Sequence, residues 1–216
     1  MKYKILFIDE EREQQDNFMD YMDKIEDTVE VKCLYPKEDM PSMLQVIEEE
    51  RPDAIVTDYQ LNEIKTDIQY NVSYNGAELL NYYRDMRPNF PCFVITSYDN
   101  DAISVSKDVN LVYVKLLMTG AEEGAKAKFY NKLVEQIKKY KKSIEKAQEK
   151  LTALVQKKHI EGLSLQEEDD LVELDSFLEK SVDSYLALPN DVKMSKSLED
   201  LSTVIDKVDE ILANLK

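Results

Sequence analysis

Short apolar runs that end on a polar residue recur through the first half of the chain. Tyr3-Lys4-Ile5-Leu6-Phe7-Ile8 ends at Asp9 and Glu10, and Ala54-Ile55-Val56-Thr57 ends at Asp58. Cys92-Phe93-Val94-Ile95 ends at Thr96, and Leu111-Val112-Tyr113-Val114 ends at Lys115. Each run has the length and β-branched content of a buried strand, and Val29 to Leu34 adds another. Between them apolar residues recur at helical spacing: Phe18, Met22 and Ile25; Met40, Leu44 and Ile47; Leu79, Leu80 and Tyr83, in a helix that opens at Gly76. Asp101 to Lys107 gives a shorter helix-like piece. Arg51-Pro52 and Arg87-Pro88 close the second and third helices, because the residue before a proline avoids the right-handed helical region. The polar stretch from Gln60 to Asn75 is longer than most connections in compact domains. Alternation of strand and helix predicts a parallel sheet covered on both faces, a doubly wound α/β domain.

In such a sheet the carboxyl ends of the strands converge on one crevice where ligands bind. Asp9, Glu10, Asp58, Thr96 and Lys115 would then meet. Three acids, a hydroxyl and an amine form a set that can hold Mg2+ and receive a phosphoryl group.

The remainder reads as helix. Ile137, Tyr140, Ile144, Ala147, Leu151 and Leu154 are spaced by alternating threes and fours, a heptad seam flanked by Lys and Glu. This long helix should start near Glu122 and end at Gly162. Ser164-Leu165-Gln166-Glu167 has the form of a capping box, with Ser164 as N-cap. Leu171, Leu174, Leu178, Val182 and Tyr185 mark the next helix, which Pro189-Asn190 breaks. Leu198, Leu201, Ile205, Val208, Leu212 and Leu215 mark the last. Narrow apolar stripes of this kind must be buried against each other or against a second copy of the chain. The expected organisation is an α/β domain over residues 1–135 and a three-helix, coiled-coil-like extension over residues 136–216.

Charge narrows the partners. The formal net charge is −16, and residues 1–120 hold 24 of the 44 acidic side chains against 12 of the 28 basic ones. No basic patch large enough to neutralise several phosphates is visible, which argues against nucleic acid as a main partner. Cys33 and Cys92 lie in apolar runs without a CxxC pair and read as buried thiols of a reducing compartment. Lys2 and Lys4 lead into too few apolar residues for a secretory leader, and no stretch is long enough to span a membrane. A soluble, cytoplasmic protein is expected.

The five strand ends, taken with their neighbours, resemble the receiver domain of bacterial response regulators, the phosphoacceptor half of two-component signalling. Ile5-Leu6-Phe7-Ile8-Asp9-Glu10-Glu11 is similar to its first strand and acidic pair, and Pro52 through Leu61 to its phosphoacceptor strand. Asn75-Gly76-Ala77-Glu78-Leu79-Leu80 resembles the start of its third helix, Thr96-Ser97 its hydroxyl position and Lys115 its closing lysine. The resemblance implies a flavodoxin-like, five-stranded parallel sheet. It implies that Asp58 is the phosphoacceptor, served by a histidine kinase or phosphotransfer protein, or by a small phosphodonor. It implies that Asp9, Glu10, Asp58 and the backbone carbonyl of Gln60 hold Mg2+. Lys115 would pair with the carboxylate and then with phosphoryl oxygens, and Thr96 would turn its hydroxyl toward them as the switch. The chain departs from the pattern at four places. Glu10 stands where Asp is more usual, Asn62 and Leu116 replace two prolines, and Val112 occupies the aromatic switch position with Tyr113 one place along.

Other features have plainer readings. His159, the one histidine, falls at a helix C-terminus, where the helix dipole favours a cation. Leu163-Ser164 leads into a helix rich in Glu167, Glu168, Asp169, Asp170 and Glu173, whereas a DNA-reading helix carries Arg, Lys, Asn or Gln. Tyr59 and Tyr98 either line the crevice or pack on loops. The chain is thus expected to be an atypical response regulator. It would be a phosphoacceptor rather than an enzyme acting on other substrates, with output by dimerisation or a protein partner through residues 136–216. Two alternatives are a phosphate sink and a pseudo-receiver adaptor without transcriptional output.

Overall fold

The computed structural model describes residues 2–23, 28–62, 71–96, 112–114 and 123–182. Five strands, β1 (Tyr3–Ile8), β2 (Val29–Leu34), β3 (Ala54–Asp58), β4 (Cys92–Thr96) and β5 (Val112–Val114), form one sheet in the order β2-β1-β3-β4-β5. Every pairing is parallel. The helices between them are α1 (Arg12–Asp23), α2 (Met40–Glu50) and α3 (Gly76–Met86). Two longer helices follow, α4 (Glu123–Ile160) and α5 (Leu165–Val182). The chain divides into two compact units, Met1–Lys142 and Ser143–Lys216.

Within the α/β unit, successive side chains of each strand point to opposite faces of the sheet. Ile5, Phe7, Val56, Phe93 and Ile95 share one buried cluster with Phe18, Tyr21 and Met22 of α1. Phe7 stacks on Phe18 at 4.1 Å between ring centroids, and Phe93 meets Phe129 edge-on at 5.8 Å. The alternate residues Leu6, Ile8, Ile55 and Val94 are as deeply buried, as are Met43 and Ile47 of α2 and Leu79 and Tyr83 of α3. Both faces of the sheet are therefore covered, which explains why its strands are apolar throughout rather than alternating.

The elements end where the local chemistry requires. Asp39 caps α2 by accepting the Ser42 N–H at 2.8 Å, with Pro41 in the first turn. Arg51, the residue before Pro52, closes α2 in the left-handed region at φ 48° and ψ 59°. Proline excluded the right-handed conformation as expected. Asn75 opens α3 with a reciprocal capping box, its side chain accepting the Glu78 N–H at 2.8 Å while Glu78 accepts the Asn75 N–H at 3.0 Å.

The first five turns of α4 belong to the α/β core. Phe129, Tyr130, Leu133, Val134 and Ile137 join the cluster of α1 and the sheet, and Tyr140 meets Phe90 edge-on at 5.4 Å. Lys141 then bonds Asp53 at 2.7 Å and lies over the Tyr3 ring. A boundary at 135/136 falls inside this packed stretch. Ile137 and Tyr140, the first two positions of the expected heptad seam, serve the sheet instead, because a helix face cannot be assigned from spacing when two different surfaces share one period.

The second unit begins with the C-terminal half of α4, which a short connection joins to α5. Gly162 takes φ 83°, the left-handed conformation that ends a helix at low cost in glycine. Ser164 caps α5 as expected: Glu167 accepts its N–H at 2.9 Å and returns its own N–H to Ser164 Oγ at 3.4 Å. Leu154 of α4 and Leu174 and Phe177 of α5 line a groove of about 570 Å³ between the helices. The expected helix over residues 198–215 lies outside the described residues, as does the short one over 101–107.

One contact across this hairpin is sensitive to pH. Lys157 Nζ donates to Glu167 Oε1 at 2.6 Å, which with the Ser164 bonds holds the Glu167 carboxyl down at about 2 instead of 4.5. A depressed carboxyl pKa contributes stability that is present above the ordinary value and lost as pH falls through the depressed one. Carboxyl-carbon NMR should thus show Glu167 titrating near pH 2, with the contact weakening between about pH 4.5 and 2. Lys157→Met should bring its midpoint back up; a midpoint near 4.5 in the unaltered chain would mean the ion pair does not form in solution.

Candidate phosphoacceptor and cation site

Register brings the acids together. Ile8 of β1 lies opposite Thr57 of β3, so the next residues along, Asp9 and Asp58, leave the sheet side by side. Asp9, Glu10 and Asp58 are 0%, 5% and 4% exposed, and each offers a carboxylate oxygen within 4.8 Å of the others. Two like charges at that separation repel by on the order of 3 kcal/mol at the effective dielectric of partly buried sites. A divalent cation bound among them would offset that repulsion.

Their donor chemistry fits Mg2+. It is a hard ion that takes oxygen ligands at about 2.1 Å, which places those oxygens about 3 to 4.2 Å from one another. Asp9, Glu10 and Asp58 supply such oxygens at nearly that mutual spacing. Glu10 reaches the cluster despite its longer side chain.

Backbone hydrogen bonds aim two of the carboxylates. The Glu11 N–H donates to Asp9 Oδ1 at 2.8 Å, and the Gln60 N–H donates to Asp58 Oδ2 at 2.9 Å. Gln60 is therefore beside Asp58 as its position in the chain suggested. Its N–H orients the Asp58 carboxylate, a role separate from the one expected for its carbonyl. Thr96 is 1% exposed at the end of β4, one residue beyond Ile95, which pairs with Asp58. Lys115 follows directly after β5 but lies outside the described residues, as do Ser97, Tyr98 and Leu116.

Three residues shape the site without having been singled out for it. Gly76 packs against the strand end so tightly that a Cβ there would lie 1.9 Å from the Asp58 carbonyl oxygen. Its N–H donates to Tyr59 O at 2.9 Å, and Asn75 fixes the helix start behind it. Gln15 is 6% exposed and donates from Nε2 to Asp9 O at 2.8 Å and to Leu34 O at 3.3 Å. A signal for Gln15 existed in the sequence: it precedes Phe18 and Met22 by three and seven residues, on the same face of α1.

The remaining reactive groups point to packing. Cys33 and Cys92 are free thiols, raised to about 11 and about 12 chiefly by burial, with Asp16 and Asp9 adding to the shift of Cys33. His159 sits in the last turn of α4 with Lys157 and Lys158. Among the described residues no helix is long and apolar enough to cross a membrane.

No protein-family model matches the chain, and no curated protein does. Among solved structures it is similar to a CheY-like response regulator receiver domain protein from Methanospirillum hungatei JF-1, at 20% identity and a TM-score of 0.47, over 64% of this chain and 99% of that one. It is similar to the isolated REC domain of RcsB from Salmonella enterica serovar Typhimurium in the presence of phosphomimetic BeF3−, at 18% identity and a TM-score of 0.41, over 56% and 80%. RcsB of the same organism bound to a promoter is similar at 12% identity and a TM-score of 0.46, over 89% and 95%. The strand order β2-β1-β3-β4-β5, parallel throughout and covered by helices, gives the α/β unit a flavodoxin-like fold.

Proposed function

We propose that the chain is an atypical response regulator that accepts a phosphoryl group on Asp58. The observation that carries this reading is the buried triad of Asp9, Glu10 and Asp58 at the carboxyl edge of a parallel sheet. A phosphohistidine on a histidine kinase or phosphotransfer protein is the donor. An oxygen of the Asp58 carboxylate attacks phosphorus, the P–N bond breaks as the P–O bond forms, and the leaving imidazole takes up a proton. The product is an acyl phosphate. The protein contributes position and charge more than covalent chemistry, as phosphoryl transfer requires.

Asp9, Glu10, Asp58 and the Gln60 carbonyl would hold Mg2+. When bound, the ion neutralises charge on the acids and on the phosphoryl oxygens. The Gln60 N–H keeps the Asp58 carboxylate from rotating away, through the 2.9 Å bond to Oδ2. Thr96 supplies a hydroxyl on the adjacent strand, and Lys115 an ammonium for the acyl phosphate. Movement of Thr96 toward the new group would alter the surface around β4 and β5.

Output runs through protein contacts, either a second copy or another protein on the helices of residues 136–216. The apolar groove along Leu154, Leu174 and Phe177 supports this, as does the acidic first half of α5. Glu167, Glu168, Asp169 and Asp170 would repel a phosphate backbone, so promoter binding of the kind recorded for RcsB is not proposed for this chain.

The test is intact mass after incubation with acetyl phosphate, with Mg2+ or with EDTA. A gain of one phosphoryl group (about 80 Da) that requires Mg2+ is the expected result. If no gain appears and no beryllofluoride complex forms, the domain is an adaptor that signals by binding alone.

A further inference from the structure

The geometry points to Gln15 as the positioning residue of the cation site, a role that rests on the Mg2+ reading above. Its side chain is 6% exposed on the inner face of α1, where the neighbouring buried residues Phe18, Tyr21 and Met22 are apolar or aromatic. A buried primary amide is costly unless its N–H groups find acceptors. Here they do: Nε2 donates to the carbonyl of Asp9 at 2.8 Å and to the carbonyl of Leu34 at 3.3 Å.

Those two carbonyls end adjacent strands. Asp9 follows β1 and Leu34 closes β2, and the Asp9 N–H itself donates to Leu34 O at 3.3 Å. Gln15 thus clamps the turn from which both Asp9 and Glu10 project. The Asp9 carboxylate is tied to the same turn through the Glu11 N–H, and the Gln15 N–H completes the helical bond to Glu11 O at 3.1 Å. Turn, helix start and carboxylate are one hydrogen-bonded unit with Gln15 at its buried end. Gln15 carries no charge and donates rather than accepts, so it holds an acidic turn without adding to its negative charge. Groups that orient metal ligands from behind typically govern affinity by tenfold to a hundredfold.

Mg2+ affinity of the full chain, measured by calorimetry beside thermal melts, tests this. Gln15→Met keeps the length and removes both donors. It should weaken Mg2+ binding by about tenfold or more. Ile47→Ala, a cavity in α2 remote from the acids, should lower the melting temperature and leave Mg2+ affinity within about twofold. If Gln15→Met does not fold, Gln15→Ala, which leaves space for water at the two carbonyls, serves in its place. Equal affinity in the Gln15 variant and the unaltered chain would overturn the positioning role alone. Absence of Mg2+ binding in the unaltered chain would overturn the cation reading and this role together.

Discussion

Replacing Gly76 with alanine should lower the stability of the α/β unit by about 3 kcal/mol or more, against total stabilities of about 5–15 for single domains. Intrinsic helix propensity argues the other way, since alanine is favoured over glycine by about 1 kcal/mol in a helix. Contact decides the sign. The added methyl would lie 1.9 Å from the Asp58 carbonyl oxygen and 2.8 Å from Cγ2 and Oγ1 of Thr57. Neither neighbour can yield cheaply. The Asp58 carbonyl is backbone at the end of a central strand, and the next residue, Tyr59, donates its N–H to Ile95 O at 2.9 Å. Thr57 is fully buried, with its hydroxyl bonded to the same carbonyl at 3.0 Å. The helix would have to retreat, breaking the Gly76 to Tyr59 bond and pulling the Asn75 cap with it. At about 2–4 °C per kcal/mol the melting temperature should fall by roughly 10 °C. Thermal melts by circular dichroism measure this. A melting point within about 2 °C of the unaltered chain would mean that α3 does not approach β3 as described.

The contrast between Gly76 and the strand ends shows what a sequence exposes. Asp9, Asp58 and Thr96 could be found because each closes an apolar run, and register then does the rest: Ile8 opposite Thr57 sets Asp9 beside Asp58. Gly76 gave no comparable signal. A glycine at a helix start reads as a turn residue, and only the approach of α3 to the strand shows that the space of one methyl is missing. Gln15 lay between the two. Its polarity masked a place on the buried stripe that its spacing from Phe18 and Met22 marks clearly. The long helix forms as one element, Glu123–Ile160, but its seam does not serve one partner, for a related reason. Its apolar stripe is continuous from Phe129 to Leu154, yet Ile137 and Tyr140 are buried with the sheet unit while Leu154 lines a groove with α5. Periodicity reports which face is apolar and carries no record of what covers it.

Asp58→Asn should abolish acyl phosphate formation completely while making the metal-free protein more stable. The chemical half follows from nucleophilicity. An amide oxygen carries no charge and forms no stable bond to phosphorus, so the gain of about 80 Da should vanish. The substitution is otherwise conservative, because the Asn carbonyl oxygen can still accept the Gln60 N–H that Asp58 Oδ2 accepts at 2.9 Å. The stabilising half follows from charge. Asp9, Glu10 and Asp58 crowd three carboxylates within 4.8 Å, and removing one relieves two repulsive pairs at once. A gain of about 1 kcal/mol, or roughly 2–4 °C, is expected without Mg2+. Mg2+ should reverse the order. It raises the melting temperature of the unaltered chain by binding the folded state, and it finds one charged ligand fewer in the variant. Intact mass and melts with and without Mg2+ separate the two halves. A variant that still gains a phosphoryl group would move the acceptor away from Asp58. A variant less stable than the unaltered chain without Mg2+ would show that the crowded carboxylates are already compensated in the folded protein, and that charge relief is not what a cation contributes there.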